Sequence, residues 1–294
     1  MTDDNNDGRW QLLDDSAEFE RQAGEYLRSD PALHTVALGV LAGLRAGEPR
    51  FAGVEPLFGV WRDGAGRVAG SLLWTPPHQL NVSPLGDPAA ERLVAALDGT
   101  EPKGVGGTVE GAGAVARAWA RRRPGVRVER EAAQRLYRLG TLTPPDPMPA
   151  GRARVAAGAD RELLVRWCQE FRAAIGEKPD EEYARAWADG RISYGGVTLW
   201  EAPDGTPLSM AGVNRRSAGS VRVAPVYTPE PLRGHGYAAA ATAEVSRAAR
   251  AAGADEVLLF TDLDNPTSNA LYQRLGYRPV RDFAVWTFTA TAAP

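Results

Sequence analysis

Several residue types that build common functional sites are scarce in this chain. Of its 294 residues one is a cysteine, Cys168, and three are histidines, His34, His78 and His235, which lie far apart in the sequence. A disulfide within the chain is therefore excluded, and a metal site of cysteine and histidine is not expected. No apolar run approaches the roughly 20 residues of a membrane-spanning helix. The net charge of −3 gives no indication of a nucleic-acid or membrane-surface protein.

The first residues, M-T-D-D-N-N-D-G, are acidic and polar. Because they lack the apolar core of a secretion signal, we expect a disordered tail over residues 1–9 and a cytoplasmic protein. With 294 residues the chain is long for one compact domain, and it suits two domains of about 150 residues each.

Two common nucleotide-binding patterns are also absent. The chain has no G-x-x-x-x-G-K-[ST] and no G-x-G-x-x-G after a predicted strand, so neither a P-loop nor a dinucleotide-binding fold is expected. It does contain a glycine loop, R-G-H-G at residues 233–236, between a β-branched run that ends at Tyr227 and an alanine-rich run over residues 237–252. This pattern predicts a strand, a loop and a helix. Glycines let a ligand approach the main chain, and a helix start offers free N–H groups to anions, so we expect a site for a phosphate-bearing cofactor.

A second pattern of strand, loop and helix follows. Residues 254–260 are predicted to form a buried strand and residues 267–275 a short helix, joined by T-D-L-D-N-P. R-G-x-G after the first strand, with N-x-x-x-x-x-x-Y-x-x-x-G-Y after the second, resembles the GNAT superfamily, the Gcn5-related N-acetyltransferases. The residues that carry this resemblance are Arg233, Gly234, Gly236, Asn265, Tyr272, Gly276 and Tyr277. Residues 226–236 and 259–279 look most like a bacterial subgroup of two-part predicted acetyltransferases, although Pro231 stands where the superfamily often has Gln or Arg.

The order of predicted elements extends the resemblance beyond these motifs. In the first half the patterns predict helices, a hairpin and further strands, over residues 18–28, 32–44, 57–75, 80–83, 89–97, 112–123 and 134–142. In the second half they predict a strand, two helices, a hairpin and a central strand, over residues 152–156, 161–174, 180–188, 196–214 and 221–227. The prolines between the halves favour a stiff, extended linker.

We therefore expect an α/β fold with a mixed α+β sheet, arranged as tandem GNAT-like domains. Residues 10–142 would form a degenerate N-terminal copy, residues 143–151 the linker and residues 152–294 the catalytic copy with the acetyl-CoA site. The glycine-rich residues 104–107 (G-V-G-G) precede T-V-E, which looks strand-like. We expect a bend or strand edge there rather than a phosphate site.

The resemblance implies acetyl-CoA as co-substrate and no metal. The cofactor-binding residues that it implies are Val226, Tyr227, Thr228, Arg233, Gly234, His235, Gly236, Tyr237, Ala238, Asn265, Asn269 and Tyr272. Main-chain N–H groups of residues 233–238 would hold the pyrophosphate. The pantetheine arm would pair with the strand edge at residues 226–228, and a main-chain N–H near Val226 would polarise the thioester carbonyl.

The resemblance also implies a general acid at Tyr272, which would protonate the leaving thiolate. Tyr272 and the main chain of Val226 are the predicted catalytic groups. The sequence does not identify the general base; the candidates are Glu177, Asp180, Glu181, Glu182, Asn214 and Asp262, each of which also suits a solvated or capping role. Structural roles suit Cys168, as a small buried residue, and His34, beside the apolar face of a helix.

Together these features predict an enzyme, an N-acetyltransferase that moves an acetyl group from acetyl-CoA to a primary amine of a small molecule by direct attack in a ternary complex. Two alternatives stay open: an acetyltransferase for protein or peptide amines, and a non-catalytic acyl-CoA-binding regulatory module. An open acidic cleft beside Tyr272 would favour a protein acceptor, and a lid from residues 10–140 would favour a small one. We expect no nucleic-acid or membrane partner, and a monomer or a homodimer.

Overall fold

Twelve strands pair in one mixed sheet in the computed structural model, which describes residues 8–47 and 55–291. Helices cover both faces of this sheet. Neighbouring strand residues separate to the two sides as the period of two requires: Leu72 packs in one apolar cluster and Leu73 in another. The predicted mixed α/β fold is confirmed.

The first half of the chain contains six strands and four helices within the described residues. They are β1 (Arg9–Leu13), α1 (Ser16–Ser29), α2 (Thr35–Arg45), β2 (Leu57–Arg62), β3 (Val68–Trp74), β4 (Leu80–Val82), α3 (Asp87–Ala96), β5 (Gly104–Thr108), α4 (Val109–Arg122) and β6 (Val126–Leu139). Strand β1 was not predicted. The expected tail lies outside the described residues up to residue 7, and Arg9 already belongs to β1.

The expectation of a bend or strand edge at residues 104–107 is wrong. These residues lie in β5, which is buried along its whole length, and α4 begins directly after it because the Thr108 side chain accepts the Gly111 N–H at 3.2 Å. Gly104 is required by close packing, since a Cβ there would lie 2.1 Å from the carbonyl oxygen of Trp286. The sequence T-V-E is thus a helix start, as the Thr108 cap shows.

The second half follows the predicted order of elements. Its strands and helices are β7 (Arg152–Val155), α5 (Arg161–Ala174), α6 (Glu181–Ile192), β8 (Val197–Glu201), β9 (Pro207–Val213), β10 (Ser220–Tyr227), α7 (Tyr237–Ala251), β11 (Glu256–Asp262), α8 (Pro266–Arg274) and β12 (Tyr277–Ala290). Asp180 caps α6 and Asn265 caps α8 through their side-chain oxygens. These local caps explain why the boundaries were predictable from polar residues before apolar runs.

The two halves exchange their last strands. The sheet order is β1-β2-β3-β4-β5-β12-β6-β11-β10-β9-β8-β7. Strand β6 therefore lies between β12 and β11, and β12 lies between β5 and β6, all paired antiparallel. Because one sheet runs through both halves, the predicted boundaries of two domains stay a prediction.

The exchange buries side chains of the first half within the core of the second. Tyr137 and Leu139 of β6 pack in the cluster under α7, together with Val223, Leu259 and Tyr277. On the opposite face, Ala32 from the turn between α1 and α2 packs with Leu258 of β11. The first half thus covers one face of the second and completes its core.

Candidate active site

Strands β10 and β11 separate partway along their length. They pair in parallel from Ser220↔Glu256 to Val223↔Leu259 and no further. Beyond Val223 the register of β10 against β9 shifts, as at a bulge, while β11 stays paired with β6 through Asp262. A bulge bends its strand away from its neighbour. The result is a wedge-shaped gap between the ends of β10 and β11, as expected for a pantetheine site.

The predicted pantetheine edge lies along this gap. Val226 and Tyr227 pair with Ala211 and Met210 of β9, so one edge of the strand end is occupied and the other faces the gap. The next residue, Thr228, is held by a hydroxyl contact of 2.8 Å to Ser209. An extended edge with free main-chain groups is suited to pairing with an amide-containing ligand.

The glycine loop ends in an array of free main-chain N–H groups. Gly234 and Gly236 have φ of 81° and 83°, the left-handed region that favours glycine. Helix α7 starts at Tyr237, and its first internal bond is donated by the Ala240 N–H to the Gly236 carbonyl at 3.0 Å. Among the residues that the structure describes, none accepts from the N–H groups of residues 234–239. This array, with the positive end of the helix dipole, forms an anion site.

The approach to this loop is open. No atom of the described chain lies within 4 Å of a Cβ built on Gly234, and the nearest atom to one on Gly236 is Pro149 Cγ at 3.9 Å. Arg233 and His235 are exposed at the mouth of the loop. The Arg233 Nε donates to the Thr228 carbonyl at 3.1 Å, which ties the loop to the end of β10. Two basic side chains thus flank the free N–H groups.

Tyr272 lies on α8 with 9% of its surface exposed. Its ring packs edge-on against Tyr277, with centroids 6.0 Å apart. The cluster to which it belongs also contains Val223, and Val226 packs against that cluster. Its hydroxyl bonds to no other residue in the described part of the chain. Burial raises the pKa of Tyr272 to about 12, so the hydroxyl keeps its proton at neutral pH and is able to donate.

The two asparagines of the predicted cofactor set hold α8 in place. Asn265 caps the helix, with Oδ1 accepting the Ser268 N–H at 3.0 Å. Asn269 Nδ2 donates to the carbonyls of Asp262 and Asn265 at 2.7 and 2.8 Å, and its Oδ1 accepts from the Tyr137 hydroxyl at 2.8 Å. The side chain of Asn269 is therefore occupied by the protein itself, and its contact with the cofactor stays a prediction.

Two residues near the site were not predicted. Tyr137 comes from the exchanged strand β6, and besides its bond to Asn269 it accepts from Gln273 Nε2 at 3.0 Å. Glu170 of α5 accepts from the Tyr227 hydroxyl at 2.9 Å. Burial and this bond together raise the pKa of Tyr227 to about 12. No local pattern marks either residue, because both act through partners that are distant in sequence.

Most candidates for the general base are engaged elsewhere. Glu177 pairs with Arg172 at 2.8 Å and Glu181 with Arg185 at 2.8 Å. Asp180, Asn214 and Asp262 each accept a main-chain N–H. Glu182 is exposed on α6.

Cys168, the last of the candidates from the sequence, has a structural role. Cys168 is buried, which raises the pKa of its thiol to about 11, so it is a thiol and not a thiolate nucleophile at neutral pH. Within residues 8–47 and 55–291 no three side chains of His, Cys, Asp or Glu are grouped as metal ligands would be. In the same residues no helix is both long and apolar enough to cross a bilayer.

The candidate site of this mixed α/β protein has three parts. They are the gap between β10 and β11, the free N–H groups at the start of α7, and the buried Tyr272. The free N–H groups suit the phosphate of a cofactor. Residues 161–277 match the family model described as Acetyltransferase (GNAT) family. The chain therefore carries a GNAT acetyltransferase domain in its C-terminal part, and the predicted superfamily is confirmed. No curated protein matches the chain.

Solved structures resemble the fold over both halves. A protein from Drosophila is 15% identical with a TM-score of 0.68, covering 96% of this chain and 99% of that one. A GCN5-related N-acetyltransferase from Sphaerobacter thermophilus is 18% identical with a TM-score of 0.60, covering 100% and 98%. A tandem GNAT protein from the clavulanic acid biosynthesis pathway is 17% identical with a TM-score of 0.55, covering 98% and 99%. These likenesses support the predicted two-part arrangement.

Proposed function

We propose that this protein transfers an acetyl group from acetyl-CoA to a primary amine of a small molecule. The observation that carries the proposal is the array of free N–H groups at residues 234–239, which lies beside the open edge of β10. An anion site that continues into an unpaired strand edge suits a ligand with a pyrophosphate at one end and an amide-rich arm at the other.

The residues present fit such a cofactor. The pyrophosphate would bind the N–H groups that begin α7, with Arg233 adding positive charge at the loop mouth and His235 lying beside it. The open space over Gly234 leaves room for phosphate oxygens at the main chain. The arm would lie along Val226 and Tyr227, and a main-chain N–H near Val226 would stabilise the negative charge that develops on the thioester oxygen.

The chemistry needs few groups. The amine loses a proton to a base or to water, and its nitrogen then attacks the thioester carbonyl carbon. A C–N bond forms, the C–S bond breaks, and the sulfur gains a proton, so the products are the amide, free coenzyme A and one proton from the ammonium form. Tyr272 is buried and protonated, which suits donation to the leaving sulfur.

A small acceptor is favoured by the way the first half covers the second. Ala32 is fully buried against Leu258, and a Cβ on Gly39 of α2 would lie 3.0 Å from Asn214 Nδ2. These contacts place α1 and α2 over the sheet face on which an acceptor would approach the gap. A covered approach leaves less room for a protein chain than an open groove. The cytoplasmic location and the monomeric or homodimeric state stay predictions.

A two-stage experiment tests the proposal. Acetyl-CoA at 100 times its Kd should stabilise the protein by about 2.7 kcal/mol, read as a rise in melting temperature. A panel of small amines, with peptides as a comparison, is then screened for release of free coenzyme A thiol. Binding followed by thiol release with small amines supports the proposal. The absence of any thermal shift would overturn the cofactor site, and release with peptides alone would overturn the small acceptor.

A further inference from the structure

Arg222 of β10 is a half-buried cation that has no carboxylate partner among the described residues. No described carboxylate lies within 4.0 Å of its guanidinium, and its Nη1 is buried with no hydrogen-bond partner. Burial lowers the pKa of Arg222 to about 10, and the positive charge of Arg191 acts in the same direction. A charge that is partly removed from water, with one nitrogen buried and unbonded, destabilises the folded protein unless a counter-charge binds it. A position of this kind therefore indicates a missing anionic partner.

The guanidinium lies at the apex of the gap, which is the point where β10 and β11 stop pairing. Arg222 directly precedes Val223, the last residue of β10 that pairs with β11. In the sheet Arg222 lies beside Leu258, yet its guanidinium carbon is 6.0 Å from the ring centroid of Phe260, two residues further along β11. The side chain thus leans toward the open end of the wedge. It does so on the face opposite α7, where Leu258 and Phe260 pack.

The side chains of Arg191 and Asn214, which lie near this guanidinium, are positively charged and neutral, respectively. Arg191 of α6 also has no ion pair with any described carboxylate, and its Nη1 donates to the Val213 carbonyl and to the Tyr194 hydroxyl. Asn214 is held by main-chain bonds to Arg222 on the strand itself. Two unpaired guanidiniums on one side of the gap create a positive potential that attracts an anion.

We propose that Arg222 binds a carboxylate of the acceptor, so that the acceptor is an amine that also carries a carboxylate, as amino acids do. This inference rests on the proposed acetyl transfer and specifies its substrate class. The planar fork of a guanidinium matches the two oxygens of one carboxylate. With its carboxylate at the apex, the acceptor is anchored beside the place where β10 and β11 diverge, and its amine is free to reach the thioester.

The test compares matched acceptors in matched variants. Amino acids and their carboxamides are assayed with acetyl-CoA in the wild type, Arg222→Met, Arg222→Lys and Arg216→Met. We expect the wild type to prefer the acid, and Arg222→Met to reduce the ratio of kcat/KM for acid over amide by roughly 30-fold or more, mainly through KM. Arg222→Lys should restore part of the preference. Arg216 is exposed and bonds to the carbonyls of Ala252 and Gly253, so Arg216→Met should keep the wild-type ratio.

A binding measurement separates this inference from the proposed function. N-acetylated amino acids should raise the melting temperature of the wild type but not of Arg222→Met, whether or not turnover occurs. Removal of the unpaired charge should leave the melting temperature of ligand-free Arg222→Met equal or higher, which also shows that the variant folds. Acetyl transfer with equal preference for acids and amides would overturn the carboxylate site alone. Arg222-dependent binding without any acetyl transfer would leave the site standing and overturn the proposed reaction.

Discussion

Two loops of this molecule occupy corresponding places and have opposite properties. The loop between β4 and α3 and the loop between β10 and α7 each follow a strand that pairs in parallel with the next strand. In the second half the helix starts with free N–H groups after Gly236. In the first half it starts with Asp87 and Pro88. A carboxylate satisfies the positive helix end, and proline has no N–H to offer.

The residues that precede this helix start are packed against α4. Leu85 is buried, and a Cβ on Gly111 of α4 would lie 2.9 Å from the Ser83 carbonyl and 3.1 Å from the Leu85 nitrogen. The Asp87 carboxylate pairs with Arg117 at 2.7 Å. The topology thus supplies a helix start in both halves, and a few local residues decide whether that start is open to an anion.

The largest effect should come from separating the halves. The fragment from residue 152 onward lacks β6, whose buried side chains contribute about 1.5–3 kcal/mol each, against a total stability of about 5–15 kcal/mol for a domain. We expect this fragment to show no cooperative unfolding by circular dichroism and to recover it when mixed with the fragment that ends at residue 151. A fragment that unfolds cooperatively and binds acetyl-CoA by itself would show that the exchange of β6 and β12 is dispensable.

The next largest effect should come from a charge in the open loop. Gly236→Asp places a carboxylate in the pyrophosphate site and a side chain at a φ of 83°, and we expect a loss of acetyl-CoA affinity of about 100-fold or more by calorimetry. Gly236→Asn tolerates that φ better and carries no charge, so it should lose less. Gly86→Asp is the matched change in the loop before α3, where a Cβ meets nothing nearer than 3.8 Å and where Asp87 and Pro88 already disfavour an anion. Equal losses for Gly86→Asp and Gly236→Asp would contradict the difference between the loops.

A smaller effect is expected from removing one hydroxyl. Tyr272→Phe should lower turnover on the order of 100-fold and leave the affinity for acetyl-CoA nearly unchanged, as measured by kcat and calorimetry. Tyr277→Phe is the control, because its hydroxyl contacts Ser246 at 2.8 Å within the core. That variant should lose about 1 kcal/mol of stability without a comparable loss of turnover. Undiminished kcat in Tyr272→Phe would exclude its role as an acid.

The open loop could be predicted from the sequence because its determinants are local. Glycines at residues 234 and 236, followed by an alanine-rich run, fix a turn and a helix start whatever surrounds them. The glycines of β5 were misjudged because they are needed by neighbours from elsewhere in the chain. Gly104 is approached by Trp286 of β12, which lies far away in sequence.

The strand exchange and the apex of the gap could not be predicted in the same way. Both β6 and β12 have 14 residues, and nothing within a strand specifies which neighbour it pairs with. Arg222 stands between two valines, in an alternation typical of a strand with one exposed face. Only the assembled sheet shows that one of its guanidinium nitrogens is buried without a partner. The contact between Tyr137 and Asn269 likewise depends on the exchange.

The smallest predicted effect concerns the pH dependence of the free energy of unfolding, to which the two halves contribute at opposite ends of the pH range. In the first half His34 is buried beside the Tyr26 ring at 4.8 Å, and burial lowers the pKa of His34 to about 4, partly opposed by Asp30. A depressed pKa contributes stability that is present above pH 6.5 and is lost as pH falls through 4. In the second half the pKa values of Tyr227 and Tyr272 are raised to about 12. Their contribution is full below pH 10 and is lost as pH rises through 12.

Urea unfolding at several pH values measures the free energy of unfolding across both ranges: the acid limb, below pH 6.5, and the alkaline limb, above pH 10. His34→Gln should flatten the acid limb between pH 6.5 and 4 and leave the alkaline limb unchanged, because glutamine does not take up a proton on unfolding. His78→Gln is the comparison variant: desolvation also lowers the pKa of His78, on the turn before β4, but less than that of His34, so this variant should change the acid limb less. An acid limb of the same slope in His34→Gln would show that other groups, and not the buried histidine of the first half, set its sensitivity to acid.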